Sequence, residues 1–133
     1  KVPVHVMIGP VVPGLTDHEM PAILKAAADA GATGGGYVVM RLPHAVKDLF
    51  TRWLTDHFPD RATRVLHRVE ALRGGNLSDP RFGTRMTGEG IFAQEIEQLF
   101  RIGCSRAGFK EDRRPLSAAS FRRPGPRQGS LFD

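Results

Sequence analysis

Two short apolar runs, each closed off by proline or glycine and separated by a single helical stretch, constrain the fold more than any other feature of this chain. Residues 4–8 (Val, His, Val, Met, Ile) are rich in β-branched side chains and run into Gly9, Pro10, Pro13 and Gly14, which stop a strand before a helix can begin. Tyr37, Val38, Val39, Met40, Arg41 and Leu42 form the second run, halted by Pro43. Between them Met20, Ile23, Leu24 and Ala27 recur with a helical period, and Gly31 follows as a C-cap. Strand, helix and strand make a βαβ unit, whose strands are parallel and whose crossover is right-handed. Both strands then end on one edge of the sheet, where residues 11–19 face residues 40–44. That edge is where α/β proteins carry their ligand-handling groups.

The entry to the first helix reads two ways. Thr16 and Glu19 have capping-box spacing, with Leu15 and Met20 placed as a hydrophobic staple. Pro21 would then fall just past the first turn and remove a backbone donor, which moves the helix start later and frees Glu19. The Gly34-Gly35-Gly36 run reads as a turn leading into the second strand, because it lacks the strand-then-helix context of a phosphate-binding loop.

Three helical stripes follow: Val46, Leu49, Phe50, Trp53, Leu54 and His57; then Ala62, Val65, Leu66 and Val69, ended by Gly74-Gly75; then Phe92, Ile96, Leu99 and Phe100, ended by Gly108. Trp53 and the phenylalanines lie on these stripes and read as core. Residues 76–90 form a loop longer than a simple connection needs. Beyond Lys110 the periodicity gives way to Pro, Arg, Ser and Gly, the composition of a disordered tail. The expected divisions are 1–44 (strand-helix-strand), 45–109 (helical extension) and 110–133 (basic flexible tail).

Composition narrows the function classes. At 133 residues with 41% hydrophobic side chains the chain is sized for one globular domain, and no run approaches the roughly 18 apolar residues of a membrane span. No membrane partner and a cytoplasmic location are the expectations, since no export leader precedes the first strand. The lone Cys104 excludes an internal disulfide and cannot by itself hold structural zinc or an iron–sulfur cluster. Positive charge is concentrated late: 8 basic residues against 3 acidic ones follow residue 100, while the preceding part is balanced at 11 each. Such a tail suits phosphate neutralisation, or simply keeps the chain soluble.

Among side chains able to carry chemistry, Asp17 and Glu19 stand at a strand end as substrate-side carboxylates, with helix capping as the competing role. His18 and His44 sit at the two facing strand ends as candidate bases, ligands or donors. By strand alternation His5 reads as a buried polar residue, while His57 and His67 read as structural. Arg41 at the end of the second strand, and Arg81 and Arg85 in the long loop, suit an anionic substrate, with ion pairing or plain surface cover as the alternatives. Cys104 lies among apolar neighbours and reads as packed. No catalytic residue and no metal ligand set are assigned.

Residues 6–19 (Val-Met-Ile-Gly-Pro-Val-Val-Pro-Gly-Leu-Thr-Asp-His-Glu), then 37–43 (Tyr-Val-Val-Met-Arg-Leu-Pro), then 81–86 (Arg-Phe-Gly-Thr-Arg-Met) and 88–90 (Gly-Glu-Gly) together resemble the C-terminal half of bacterial radical SAM proteins, in the branch related to spore photoproduct lyase. The resemblance implies an α/β fold, the last two βα units of a partial (β/α) barrel followed by a C-terminal helical region. It implies S-adenosylmethionine (SAM) and a [4Fe–4S] cluster as cofactors of the full-length parent, a lyase-like enzyme directed at nucleic acid and DNA repair. Ile8, Gly9, Pro10 and Val11 would lie along the adenosine of SAM, and Met40, Arg41 and Leu42 would approach adenine or substrate. The three-cysteine cluster motif of that family is absent, as is its motif for the SAM amino group. The expectation is therefore a fragment, truncated or excised, that holds no cofactor and has no activity alone. Its first partner would be the missing N-terminal half of the barrel.

Gln128-Gly129-Ser130-Leu131-Phe132 in turn resembles the short peptide by which bacterial repair and replication proteins dock on the sliding clamp, with Gln128, Leu131 and Phe132 as the contacts and Gly129 as a departure from the usual leucine. A non-catalytic module binding DNA or the clamp is accordingly the alternative function. A generic phosphate-binding α/β domain is the third.

Overall fold

The computed structural model describes residues 2–77, 82–109, 117–122 and 125. Among these residues it is a mixed α/β arrangement of a two-stranded parallel sheet and four α-helices: β1 (His5–Val11), a short 3-10 turn (Asp17–Glu19), α1 (Met20–Asp29), β2 (Gly34–Val39), α2 (Val46–His57), α3 (Pro59–Ala71) and α4 (Ile91–Arg106). The βαβ reading of residues 4–42 is observed as such, with α1 as the crossover helix. A two-stranded sheet alone does not make a barrel. No helix among the described residues is long and apolar enough to cross a membrane.

The strands pair from His5↔Gly34 to Ile8↔Tyr37 and then shift, so that Val11 meets Val39. The irregularity falls at Gly9-Pro10, whose peptide bond is cis; proline brings no N–H to a ladder, so regular pairing stops there.

The second strand corrects the expectation for the glycine run. Gly34-Gly35-Gly36 is the first half of β2, not a turn before it, and the strand ends at Val39 rather than running to Leu42. A Cβ on Gly35 would lie 3.1 Å from Leu24 of α1 and 3.2 Å from Val6, and one on Gly36 would lie 3.0 Å from the end of Met7. The glycines are strand residues because large neighbours lie over them, a tertiary cause with no local signature.

Two apolar clusters hold these elements. Ile8, Val11, Met20, Leu24, Val39, Leu72, Ala93 and Ile96 pack between one face of the sheet, α1 and α4. Gly103 of α4 makes the α1–α4 approach close: a Cβ there would stand 2.7 Å from Leu24. The second cluster joins Val12, Leu15 and Leu42, from the segments that follow the strands, to Phe50 and Leu54 of α2 and Ala62, Val65 and Val69 of α3.

The stripe on α2 is only half used. Phe50 and Leu54 are buried, but Val46, Leu49 and Trp53 remain 47%, 63% and 42% exposed. Trp53 is therefore not a core residue; it stacks between Phe50 and His57, with ring centroids 5.8 and 5.5 Å away. The six-residue stripe spans more of the helix circumference than α3 covers.

Candidate functional site

At the carboxyl end of the sheet the chain uses its own polar groups to shape the loop after β1. The Thr16 hydroxyl oxygen accepts from the Val12 N–H at 2.9 Å, Asp17 Oδ2 accepts from the Gly14 N–H at 2.7 Å, and Asp17 Oδ1 accepts from the His18 N–H at 3.0 Å. Neither Thr16 nor Glu19 makes a side-chain cap bond, and α1 begins at Met20 with Pro21 in its first turn. The capping box is thus not formed. Proline in the first turn is compatible with the later start, because the N–H it lacks has no intrahelical acceptor there. Asp17 braces its own loop, whereas His18 and Glu19 are exposed.

The residues that the resemblance assigns to SAM divide by accessibility. Ile8, Val11 and Leu42 are 8%, 1% and 0% exposed and belong to the core, so they reach a ligand only through their main chain. Gly9, Pro10 and Arg41 are exposed, and Met40 is half-buried. Arg41 forms no ion pair among the described residues. His44 is exposed and holds a positive φ of 45°, a strained value for a residue with a Cβ. Above the strand end, Val12, Leu15 and Leu42 are sealed against α2 and α3, which closes that side as a ligand mouth.

Arg73 is the residue that sequence reasoning missed. At 2% exposure it is a buried cation just past α3, donating from one terminal nitrogen to the Thr84 carbonyl at 2.9 Å and from the other to the Met40 carbonyl at 2.8 Å. It thereby ties the end of the second strand segment to the long loop, which also supplies the Met86 carbonyl to the Val39 N–H. An arginine after a helix ordinarily reads as solvated, and no sequence signal distinguished this one. In the same loop the Arg85 guanidinium lies 4.8 Å over the ring of Phe82, which is 83% exposed, and its buried Nε has no hydrogen-bond partner among the described residues. Arg81, Gln128, Leu131 and Phe132 lie outside the described residues.

A second opening lies along the outer side of β2. An open groove of about 1030 Å³ lies between Gly34, Gly35 and Tyr37 of β2 and Glu97, Phe100, Arg101 and Cys104 of α4, with Thr87, Gly108 and Phe109 also lining it. His5 lines it too, so it is exposed rather than buried as strand alternation implied. The Tyr37 ring packs on Phe100 at 4.8 Å between centroids. Burial pushes the Tyr37 hydroxyl pKa above its usual 10.0, and the nearby Glu97 carboxylate adds to the shift. No sequence signal marked this groove.

Among the described residues no three or more His, Cys, Asp or Glu side chains are grouped to hold a metal ion. A [4Fe–4S] cluster takes several cysteine thiolates; this chain has Cys104 alone, half-buried on α4. The residues present do not fit that cluster. No family model, curated protein or solved structure matches the chain.

Proposed function

We propose that this chain forms one wall of a partial (β/α) barrel in a radical SAM protein, lining part of the pocket for SAM and substrate while the cluster is held by other residues. The observation that carries this reading is the bare face of the sheet. Val6, Ile8, Gly35, Tyr37 and Val39 turn toward α1 and α4, whereas His5, Met7, Gly9, Gly36 and Val38 lie on the opposite side, where Met7 is 67% exposed. Helices on one face and small, accessible residues on the other are the arrangement of a barrel wall, with helices outside and ligand inside. The outer edge of β1 has no strand partner among the described residues, and further parallel strands would continue the sheet from there.

Within this reading Gly9 and Pro10 offer backbone and ring to a flat adenosine, and the exposed Arg41 guanidinium offers planar donors to a carboxylate or phosphate. SAM supplies the reactive group; these residues bind, orient and exclude water. The late concentration of arginines supports nucleic acid as the substrate class. Anaerobic reconstitution of the natural protein with iron and sulfide should yield a cluster absorbance band and 5′-deoxyadenosine from SAM. Absence of both would sink the reading. Adding SAM should also shift the amide resonances of Gly9, Gly36 and Arg41, and unmoved resonances in the reconstituted protein would count against this wall.

A further inference from the structure

We propose that the outer edge of β2, beneath α4, is a docking site for an extended segment of another polypeptide, taken up as an added strand. At the end of β2 the Met40 N–H donates to the Val11 carbonyl of β1 at 2.8 Å, whereas the Val39 N–H donates away from β1, to the Met86 carbonyl at 2.9 Å. Continuing that alternation back along β2 turns Gly34 and Gly36 toward β1, and the N–H and C=O groups of Gly35 and Tyr37 toward the outer edge. The far end of the same edge thus already takes main chain, from the long loop. Over the remainder stands α4, with an open groove between them.

Charge complementarity names the occupant. The edge presents alternating partial positive and partial negative groups at strand spacing, a pattern matched by another extended main chain. On the roof, Glu97 and Arg101 stand one helical turn apart, about 6 Å along the axis, and neither forms an ion pair among the described residues. Same-face residues of a strand repeat at about 6.6 Å, so a basic and an acidic residue two positions apart would each meet an opposite charge. A second copy pairing edge to edge would bring its own α4 against this one. The occupant is therefore a separate peptide strand, and the site is distinct from the β1 edge that the barrel reading uses.

The test titrates the full chain into a fluorescent peptide of about eight residues, with Lys and Glu two positions apart on one face and Val on the other, followed by anisotropy. Saturable binding is expected, as is a loss of at least tenfold when the peptide is N-methylated at the amides of one register but not of the alternate one. Glu97→Lys should weaken binding of this peptide and strengthen binding of a version in which its Lys is replaced by Glu. Equal affinity for the two N-methylated registers, or no saturable binding, overturns the proposal. Hydrogen exchange of the chain alone addresses the other occupants. Protection of Gly35 and Tyr37 at low concentration would assign the edge to the chain's own residues, and protection that grows with concentration would assign it to a second copy; either overturns a separate partner.

Discussion

Replacing Arg73 by methionine tests whether one buried guanidinium holds the long loop to the sheet. Methionine keeps the unbranched stem and removes the donors to the Met40 and Thr84 carbonyls, both within 2.9 Å of the guanidinium. Hydrogen bonds to a charged group contribute roughly 1.5–3 kcal/mol each, so two are worth about 3–6 kcal/mol. The variant no longer has to strip water from a cation at a site only 2% exposed, which returns part of that sum. A net loss of about 2–4 kcal/mol is expected. With a urea m value near 2 kcal/mol/M, usual for a small domain, the midpoint should fall by about 1–2 M. Arg73→Lys keeps the charge but not the two-pronged reach, and should fall between the two. Hydrogen exchange should localise the defect: the Val39 amide, bonded to Met86, should lose protection before α1 does. A midpoint unchanged within about 0.3 M, or even loss of protection across the chain, would refute the role of a local tie.

Other perturbations separate packing from exposure. Gly103→Ala should destabilise by about 1–3 kcal/mol, since its Cβ would meet Leu24 at 2.7 Å, while Gly36→Ala should cost little because the end of the exposed Met7 can move aside; paired urea melts decide. Leu54→Ala, at a fully buried position, should lose about 2–5 kcal/mol, whereas Leu49→Ala on the same helix, 63% exposed, should lose less than about 1; equal losses would mean that α2 packs the other way round. Asp17→Ala should cost about 1 kcal/mol and speed exchange of the Gly14 amide, and an unchanged amide would remove Asp17 from loop bracing. Tyr37 should ionise above 10.0 in an ultraviolet titration, and Glu97→Gln should move it part of the way back. A native pKa above the unfolded one means that this contribution to stability is complete below 10.0 and is lost as pH rises through the native value. Ionisation at 10.0 or below would contradict the desolvation of the hydroxyl.

Much of the chain follows from local pattern. The periodicity of Met20, Leu24 and Ala27, the β-branched runs on either side, and the glycines after α1, α3 and α4 are local facts, and they suffice for strand, helix, strand and three further helices. The candidate site was less legible. Ile8, Val11 and Leu42 carry no mark of which face they turn inward until α1, α2 and α3 are in place. Arg73 looks like any arginine near a helix end, and only the meeting of three distant segments makes it a buried tie.

The sequence by itself determined the order and kind of elements and the parallel pairing, because hydrophobic period and glycine and proline stops act over a few residues. Tertiary structure alone decided that three glycines make a strand rather than a turn, that Trp53 stays half in solvent, and that a groove opens under α4. Each of those outcomes depends on which large side chain arrives from elsewhere in the chain to fill or leave a space, and local propensity holds no record of that.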